Sequence, residues 1–170
     1  KETGGFTEFV PLPFVHMEAP MYLKGKARKG PTFRESVLMH AVARLALHGL
    51  IDNIQASWVK MGHQGVKACL NAGCNDLGGT LMNESISRAA GTQHGQETSS
   101  DEMRRIIRTL NRNPRQRATA YGSVSKEREA AGLKADELTE IINTPARKYE
   151  RKTPSASLLR NDLIEAVNVS

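Results

Sequence analysis

The stretch Asn53-Ile-Gln-Ala-Ser-Trp-Val-Lys-Met-Gly62 predicts a short strand that ends in polar side chains and a glycine. A second stretch of this kind, Asn75-Asp-Leu-Gly-Gly-Thr80, begins thirteen residues after Gly62, and residues 62–71 predict a helix between the two. In parallel β/α folds the ligand binds at the carboxyl ends of the strands, where loops from several units meet. The two stretches therefore predict a parallel β/α unit whose functional groups follow its strands.

The same alternation of strands and helices extends on both sides of this unit. The predicted strands cover residues 6–14, 52–58 and 74–77, and the predicted helices cover residues 32–49, 62–71, 81–90 and 102–110. The long loop over residues 15–33 is typical of a lid or binding loop. After Gly122 only two weak helices are predicted, over residues 135–143 and 157–167. We expect two regions: residues 1–122 with the β/α fold, and residues 123–170 as a basic tail that is helical or flexible.

Three parallel strands with their helices form an incomplete sheet, because the first strand has no preceding neighbour in this chain. We expect either a missing N-terminal half that closes a barrel with this one, or another subunit whose sheet this unit extends. The chain starts at Lys1 without an initiator methionine and reaches strand-like sequence by Phe6. We therefore expect a fragment or a processed piece of a longer protein.

The composition indicates one ordinary globular domain, with 39% hydrophobic and 25% charged residues among 170. No apolar run approaches the ~20 residues that span a bilayer, and no signal peptide is visible, so we expect a cytoplasmic protein without a membrane partner. The two cysteines, Cys69 and Cys74, do not have a usual zinc or redox spacing. The sequence predicts no metal ligand.

The net charge of +6 is concentrated in residues 101–160, which hold fourteen basic and eight acidic residues. Such an excess can mark a nucleic-acid partner, although it is more often a solvated helix face. The cations that a nucleic acid would meet on the helix are Arg104, Arg105, Arg108 and Arg112. Only Tyr121 and Tyr149 could stack on bases there, so a nucleic-acid partner is disfavoured.

Side chains two positions apart share one face of a strand, and this alternation divides the second predicted strand into two sets. The set that suits the helices is Ile54, Ala56 and Trp58, and the set that then faces the interior is Asn53, Gln55 and Ser57. Interior amide and hydroxyl groups need hydrogen-bond partners, which a polar ligand could supply and neighbouring strands or water could equally supply. Both interpretations stay open for these three residues.

Further candidate groups lie next to the other strands. Glu8 stands among apolar residues, where an unpaired carboxylate is costly, so it is expected to be paired or functional. His16 could take part in acid–base chemistry or lie exposed on its loop, and Lys60 could reach a ligand carboxylate or lie on the surface. Asn75 and Asp76 precede two glycines, whose backbone N–H groups a ligand could approach closely. Neither a Ser/His/Asp order, an H-E-x-x-H motif nor a P-loop is present, which disfavours ordinary hydrolases.

Several segments together resemble the FO synthase family, in particular its tyrosine-handling module, which also occurs as a separate subunit. They are residues 4–14 (GGFTEFVPLPF), 19–23 (APMYL), 27–31 (ARKGP), 53–60 (NIQASWVK) and 75–80 (NDLGGT). The resemblance covers about residues 1–122. It implies the C-terminal part of a TIM-like (β/α) barrel of the radical S-adenosylmethionine type, followed by a helical tail.

The resemblance implies a transferase that contains a 4Fe–4S cluster and cleaves S-adenosylmethionine to a deoxyadenosyl radical. The radical activates tyrosine, the hydroxybenzyl part of which is joined to 5-amino-6-(D-ribitylamino)uracil, and a partner module closes the deazaflavin ring. The residues expected to line the substrate or S-adenosylmethionine pocket are Glu8, His16, Gln55, Ser57, Lys60, Asn75, Asp76, Gly78, Gly79 and Thr80. No catalytic role is assigned to any one of them.

The chain departs from the family pattern in one respect: the CxxxCxxC loop that holds the cluster is absent. The cluster ligands are expected outside this chain, which alone should be inactive. A sister radical enzyme of the futalosine route to menaquinone shares strands like residues 53–60 and 75–80 and is the nearest alternative. The loop segments over residues 21–23 and 28–31 favour FO synthase. A non-catalytic piece that assembles with a cluster-bearing chain is a third possibility.

Overall fold

The computed structural model describes residues 4–81, 84–94 and 96–134. The elements in chain order are β1 (Glu8–Phe9), α1 (Pro20–Leu23), α2 (Phe33–Ala46), β2 (Asn53–Ala56), α3 (Trp58–Asn71), β3 (Asp76–Leu77), α4 (Ile86–Ala89), α5 (Ser100–Arg108) and α6 (Lys126–Leu133). The two helices predicted over residues 135–143 and 157–167 lie outside the described residues. The division of the chain at Gly122 stays a prediction.

The three strands form one parallel sheet in the order β1-β2-β3. Glu8 lies opposite Asn53 in the register of the first pair, and Gln55 lies opposite Asp76 in the second. The predicted order of strand, helix, strand, helix, strand is therefore confirmed. Among the strands that the structure describes, β1 and β3 each pair only with β2, so each has one edge without a strand neighbour.

The core lies between the sheet and the helices α2 and α3. Ile54 and Ala56 have no exposed surface, which confirms that these two strand residues face the helices, whereas Trp58, 1% exposed, lies in the core as the first residue of α3. Val66 and Cys69 of α3 are fully buried in the same cluster. Burial of such apolar side chains contributes about 1.5–3 kcal/mol for each large one. The opposite face of β2 is thereby left to the half-buried side chains of Asn53 and Gln55.

Helix α2 begins with the capping box that the sequence predicts. The Thr32 hydroxyl accepts a hydrogen bond from the Glu35 backbone N–H at 3.2 Å, and the Glu35 carboxylate accepts one from the Thr32 N–H at 2.7 Å. These bonds satisfy two of the backbone donors that a helix start leaves without intrahelical partners. They also lower the pKa of Glu35.

No described helix combines the length and the apolar character needed to cross a membrane.

Several boundaries differ from the predicted ones. The helix after β2 begins at Trp58 rather than at Gly62, and the helix predicted over residues 81–90 is only Ile86–Ala89. Leu81 has a φ of 46°, which an α-helix does not accept, so no helix can include that residue. The short helix α1 inside the long loop and the helix α6 after Gly122 were not predicted, because neither carries a clear apolar stripe.

Gly62 breaks α3 with a φ of 65° and a ψ of 174°, a conformation that is essentially restricted to glycine. A Cβ at this position would also lie 2.7 Å from Nδ1 of His94. We expect Gly62→Ala to lower the free energy of unfolding by about 1–3 kcal/mol, measured by urea denaturation. Gly122→Ala is the matched control, because its Cβ would meet nothing within 4 Å and its φ is not positive. Equal stability of the two variants would contradict this account.

Candidate functional site

Glu8, Gln55 and Asp76 form a row across the sheet face opposite to α2 and α3, which we call the interior face. The parallel register brings one polar side chain from each strand together, because Glu8 begins β1, Gln55 lies in β2 and Asp76 begins β3. Nε2 of Gln55 donates to Oε2 of Glu8 at 2.9 Å and to Oδ2 of Asp76 at 2.8 Å. The Gln55 amide thus links the two outer strands through their carboxylates.

Arg117 and Tyr121 complete this row and turn it into a five-residue polar network. The Arg117 guanidinium donates from Nε to Oδ1 of Asp76 at 2.8 Å and from NH2 to Oδ2 at 2.6 Å, a bidentate ion pair. The Tyr121 hydroxyl lies 2.5 Å from Oε2 of Glu8 and 2.8 Å from Oδ2 of Asp76. The guanidinium also packs over the Tyr121 ring, 4.1 Å from its centre. We call these five residues the interior network.

The charges of the interior network do not cancel when both carboxyl groups are ionised, since Arg117 is the one cation facing two carboxylates. The Arg117 guanidinium is 3.8 Å from Glu8 and much closer to Asp76. Burial and hydrogen bonds to the two carboxylates raise the pKa of Tyr121, which therefore stays a proton donor at neutral pH. The hydrogen bond to Asp76 raises the pKa of Arg117. Such a network can orient hydrogen-bonding groups.

Removal of Arg117 should leave the Asp76 carboxylate, whose side chain is 11% exposed, without its counter-charge. We expect Arg117→Ala to lower the free energy of unfolding by about 2 kcal/mol, because loss of the partner of a buried charge costs at least as much as loss of a buried neutral hydrogen bond. Arg115→Ala is the matched control, since among the described residues Arg115 donates only to the exposed Ser123 hydroxyl. Urea denaturation of both variants tests this, and equal losses would argue against the ion pair as the source of stability.

The loops at the carboxyl ends of β2 and β3 are bonded to each other. The Trp58 indole N–H donates to the Gly79 carbonyl at 2.8 Å, and the Thr98 N–H donates to the Thr80 carbonyl at 3.3 Å. Lys60 donates from Nζ to the Ser87 hydroxyl at 2.6 Å. A cleft of about 590 Å³ runs beside β3 and α5, and its lining includes Asp76, Gly78, Gly79 and Thr80.

Three of the predicted pocket residues lie away from the interior network. Oδ1 of Asn75 accepts from Arg44 at 2.7 Å and from the Ile54 N–H at 2.9 Å, so it ties α2 to β2. Nδ1 of His16 accepts from the Gly30 N–H at 3.5 Å, within the long loop. Ser57 is the N-cap residue of α3, without a side-chain capping bond. The structure therefore brings together Glu8, Gln55 and Asp76, with the other predicted residues distributed around them.

His40, Cys69 and Cys74 form a separate buried cluster behind the sheet. Burial acts to lower the pKa of His40, but its interaction with the Cys69 sulfur and the 2.7 Å hydrogen bond to the Ser36 carbonyl outweigh burial and raise it. Contact between the two thiols lowers the pKa of Cys69 and raises that of Cys74. Within the described residues, no group of three or more His, Cys, Asp or Glu side chains is arranged to hold a metal ion.

The raised pKa of His40 has a consequence for stability. Protonation of His40 stabilises the fold fully below the unfolded pKa of about 6.5, and this contribution is lost as the pH rises through the folded value. Cys69→Ala removes an interaction that raises the pKa of His40, so we expect this pKa to fall relative to the wild type. Imidazole NMR titration of both proteins measures the change, with His48→Gln used to assign the signals. An unchanged His40 titration would contradict the pairing with Cys69.

Arg117 and Tyr121 were missed in the sequence, where the basic residues after α5 were interpreted as a surface feature. One signal pointed to them: Glu8 stands among apolar residues and needs a partner. That partner, Tyr121, is 113 positions away in the chain, so no local pattern connects the two. Tyr121 also has a φ of 62°, a conformation that a non-glycine residue rarely adopts without surrounding support.

The fold and the interior network define one part of a parallel β/α protein with polar groups on the interior face of its sheet. Residues 3–130 match the family model described as CofH/MqnC C-terminal region. Because this match covers more than half of the chain, the chain belongs to the CofH/MqnC C-terminal region family.

Relatives with known names agree with this membership. The chain is 57% identical over 125 residues to the FO synthase of Nocardia farcinica. The aligned part makes up 74% of this chain and 14% of that protein. It is 56% identical over 119 residues to the FO synthase of Mycobacterium leprae, and the aligned part makes up 70% of this chain and 14% of that protein. It is 48% identical over 124 residues to the 5-amino-6-(D-ribitylamino)uracil--L-tyrosine 4-hydroxyphenyl transferase of Methanothermobacter thermautotrophicus. Here the aligned part makes up 73% of this chain and 34% of that protein. The chain therefore spans about a seventh of the length of the first two relatives and about a third of the length of the last one.

Proposed function

We propose that this chain is part of an FO synthase, a radical S-adenosylmethionine transferase that joins the hydroxybenzyl part of tyrosine to 5-amino-6-(D-ribitylamino)uracil. The observation that carries the proposal is the interior network, which lines one face of three parallel strands in a chain 48% identical to a transferase named for these two substrates. Both substrates are rich in hydroxyl and N–H groups. Carboxylate and amide side chains on an interior face suit such ligands.

We further propose that the sheet is the last part of a TIM-like barrel, completed by a preceding half of the barrel. The β1 edge without a described strand neighbour supports this, because edge strands need a partner or a cover. The outer face of α2 supports it as well, since Leu38, Val42 and Leu45 are exposed by 57%, 49% and 79%. An apolar stripe of this kind, beside an open strand edge, suits the helix of a preceding β/α unit.

The cofactors implied by the resemblance are divided between this chain and the rest of the enzyme. A 4Fe–4S cluster does not fit here, because the only two cysteines of the chain are buried against each other and against His40. We propose that its ligands lie in the part of the enzyme outside this chain, where the radical is generated. S-adenosylmethionine is a polar ligand, and the amide of Gln55 and the hydroxyl of Ser57 suit contacts with it or with a substrate.

The pocket residues have different proposed parts in binding. Glu8, Gln55 and Asp76 offer hydrogen-bonding groups on the interior face, whereas Lys60, Gly78, Gly79 and Thr80 belong to the loops at the carboxyl ends. Ligands of parallel β/α proteins bind at that end. His16 and Asn75 would act by fixing the long loop and the α2–β2 connection. We propose that these residues position the substrates and that none of them initiates the reaction.

The other functions suggested by the sequence have less support. The matched family carries the double description CofH/MqnC, so a sister radical enzyme stays the second candidate. A nucleic-acid interface on α5 is disfavoured, because Arg104 pairs with Glu129 at 2.6 Å and Arg105 pairs with Asp101 at 3.5 Å. Paired arginines offer less charge to phosphates.

The direct test uses the complete polypeptide that contains this chain, purified and reconstituted without oxygen. With tyrosine, 5-amino-6-(D-ribitylamino)uracil, S-adenosylmethionine and a reductant, we expect a covalent adduct of the two substrates by mass spectrometry. Omission of either substrate should abolish the adduct. If the cofactor is cleaved and no adduct forms with both substrates present, the proposed reaction is wrong and the sister enzyme becomes the better candidate.

A further inference from the structure

We propose that Arg117 and Tyr121 are positioning residues that fix the orientation of the Gln55 amide, so that its Oε1 accepts a hydrogen bond from a substrate. They act through Asp76 and Glu8 and need not touch the substrate themselves. The group recognised by Oε1 would be an N–H or O–H donor. This inference rests on the proposed function, because it names how the same site binds one of its substrates.

The first step is the hydrogen-bond balance of the Gln55 amide. Its NH2 group has two hydrogens, and both are donated, one to Glu8 and one to Asp76. A flipped amide would place Oε1 against two carboxylates, which is electrostatically unfavourable. The carboxylates therefore select one of the two amide orientations, and the carbonyl end must point away from them.

The second step is the environment of that carbonyl. A Cβ built on Gly78 would lie 3.5 Å from Oε1 of Gln55, so the oxygen lies beside the backbone that follows β3. The Gly78 N–H is already donated to the Ala56 carbonyl at 3.2 Å. In the part of the chain that the structure describes, no group donates a hydrogen bond to Oε1. The carbonyl is thus an available acceptor at the carboxyl end of β3, where ligands of such sheets bind.

The third step concerns the hydrogen bonds that fix the carboxylates of Glu8 and Asp76 in place. Arg117 occupies both oxygens of Asp76, and Tyr121 lies between Oε2 of Glu8 and Oδ2 of Asp76. Both residues come from one turn, closed by the bridge between Arg117 and Ser123 and by the Ala118 N–H to Gly122 carbonyl bond of 2.9 Å. The positive φ of Tyr121 belongs to this turn. A conformation of this kind persists where surrounding contacts impose it.

The substrate donor has two possible sources with the same chemistry. One is an N–H or hydroxyl group of the ribitylaminouracil, and the other is a donor group of tyrosine. A site that accepts a hydrogen bond discriminates strongly against ligands that cannot donate one, because its acceptor is then covered by the ligand and left unpaired. Separate titrations with the two substrates therefore identify the source.

The experiment measures the affinity of each substrate for the complete protein by calorimetry, in the wild type, Gln55→Leu, Tyr121→Phe and the double variant. Loss of one neutral hydrogen bond should weaken one substrate by roughly tenfold and leave the other within about twofold. Because Tyr121 acts through Gln55, the double variant should be no weaker than Gln55→Leu alone. In steady-state assays the KM of that substrate should rise while kcat changes little. Lys126→Ala, at an exposed position at the start of α6, should change none of these values.

A second readout does not depend on substrate. In the wild type the Gln55 side-chain NH2 should give two well-separated, slowly exchanging NMR signals, and Tyr121→Phe should make them exchange faster. The inference is overturned if the double variant shows additive losses, if Tyr121→Phe leaves both affinities unchanged, or if both affinities fall together with the melting temperature. A wild-type protein that binds neither substrate would instead sink the proposed function, and this inference with it.

Discussion

The bidentate ion pair between Arg117 and Asp76 is the contact on which the interior face of the sheet depends. Glu8, Gln55 and Asp76 converge because the strands are parallel and in register, so the backbone alone would crowd two carboxylates beside one amide. Arg117 and Tyr121 make this arrangement tolerable by supplying a cation and a hydroxyl donor. The polar side chains on this face of the sheet are thus stabilised by a segment that follows the last described strand.

The two faces of β2 are held by different kinds of contact. Ile54 and Ala56 are fully buried against the helices, and this face needs only apolar side chains of suitable size. The face with Gln55 is specified by hydrogen bonds, each of which fixes the direction of a group.

The sequence predicted the parallel β/α order, the capped start of α2 and the buried residues of β2, because these depend on local periodicity and on short capping patterns. It also placed Glu8, Gln55 and Asp76 among the candidate residues. The partners of these residues could not be predicted, since Arg117 is 41 positions from Asp76 and Tyr121 is 113 from Glu8. Short elements such as α1 and the bend at Gly62 were missed because tertiary contacts, rather than periodicity, determine them.

The indole of Trp58 joins the start of α3 to the loop after β3 through its hydrogen bond to the Gly79 carbonyl. It is the single tryptophan of the chain, and it is 1% exposed. The emission wavelength of a buried indole depends on the polarity of its surroundings and on its hydrogen bonds. This residue is therefore an intrinsic optical reporter of the loop beside the cleft. A movement of the loop at Gly78 and Gly79 would therefore shift the emission wavelength of this one tryptophan, without any added label.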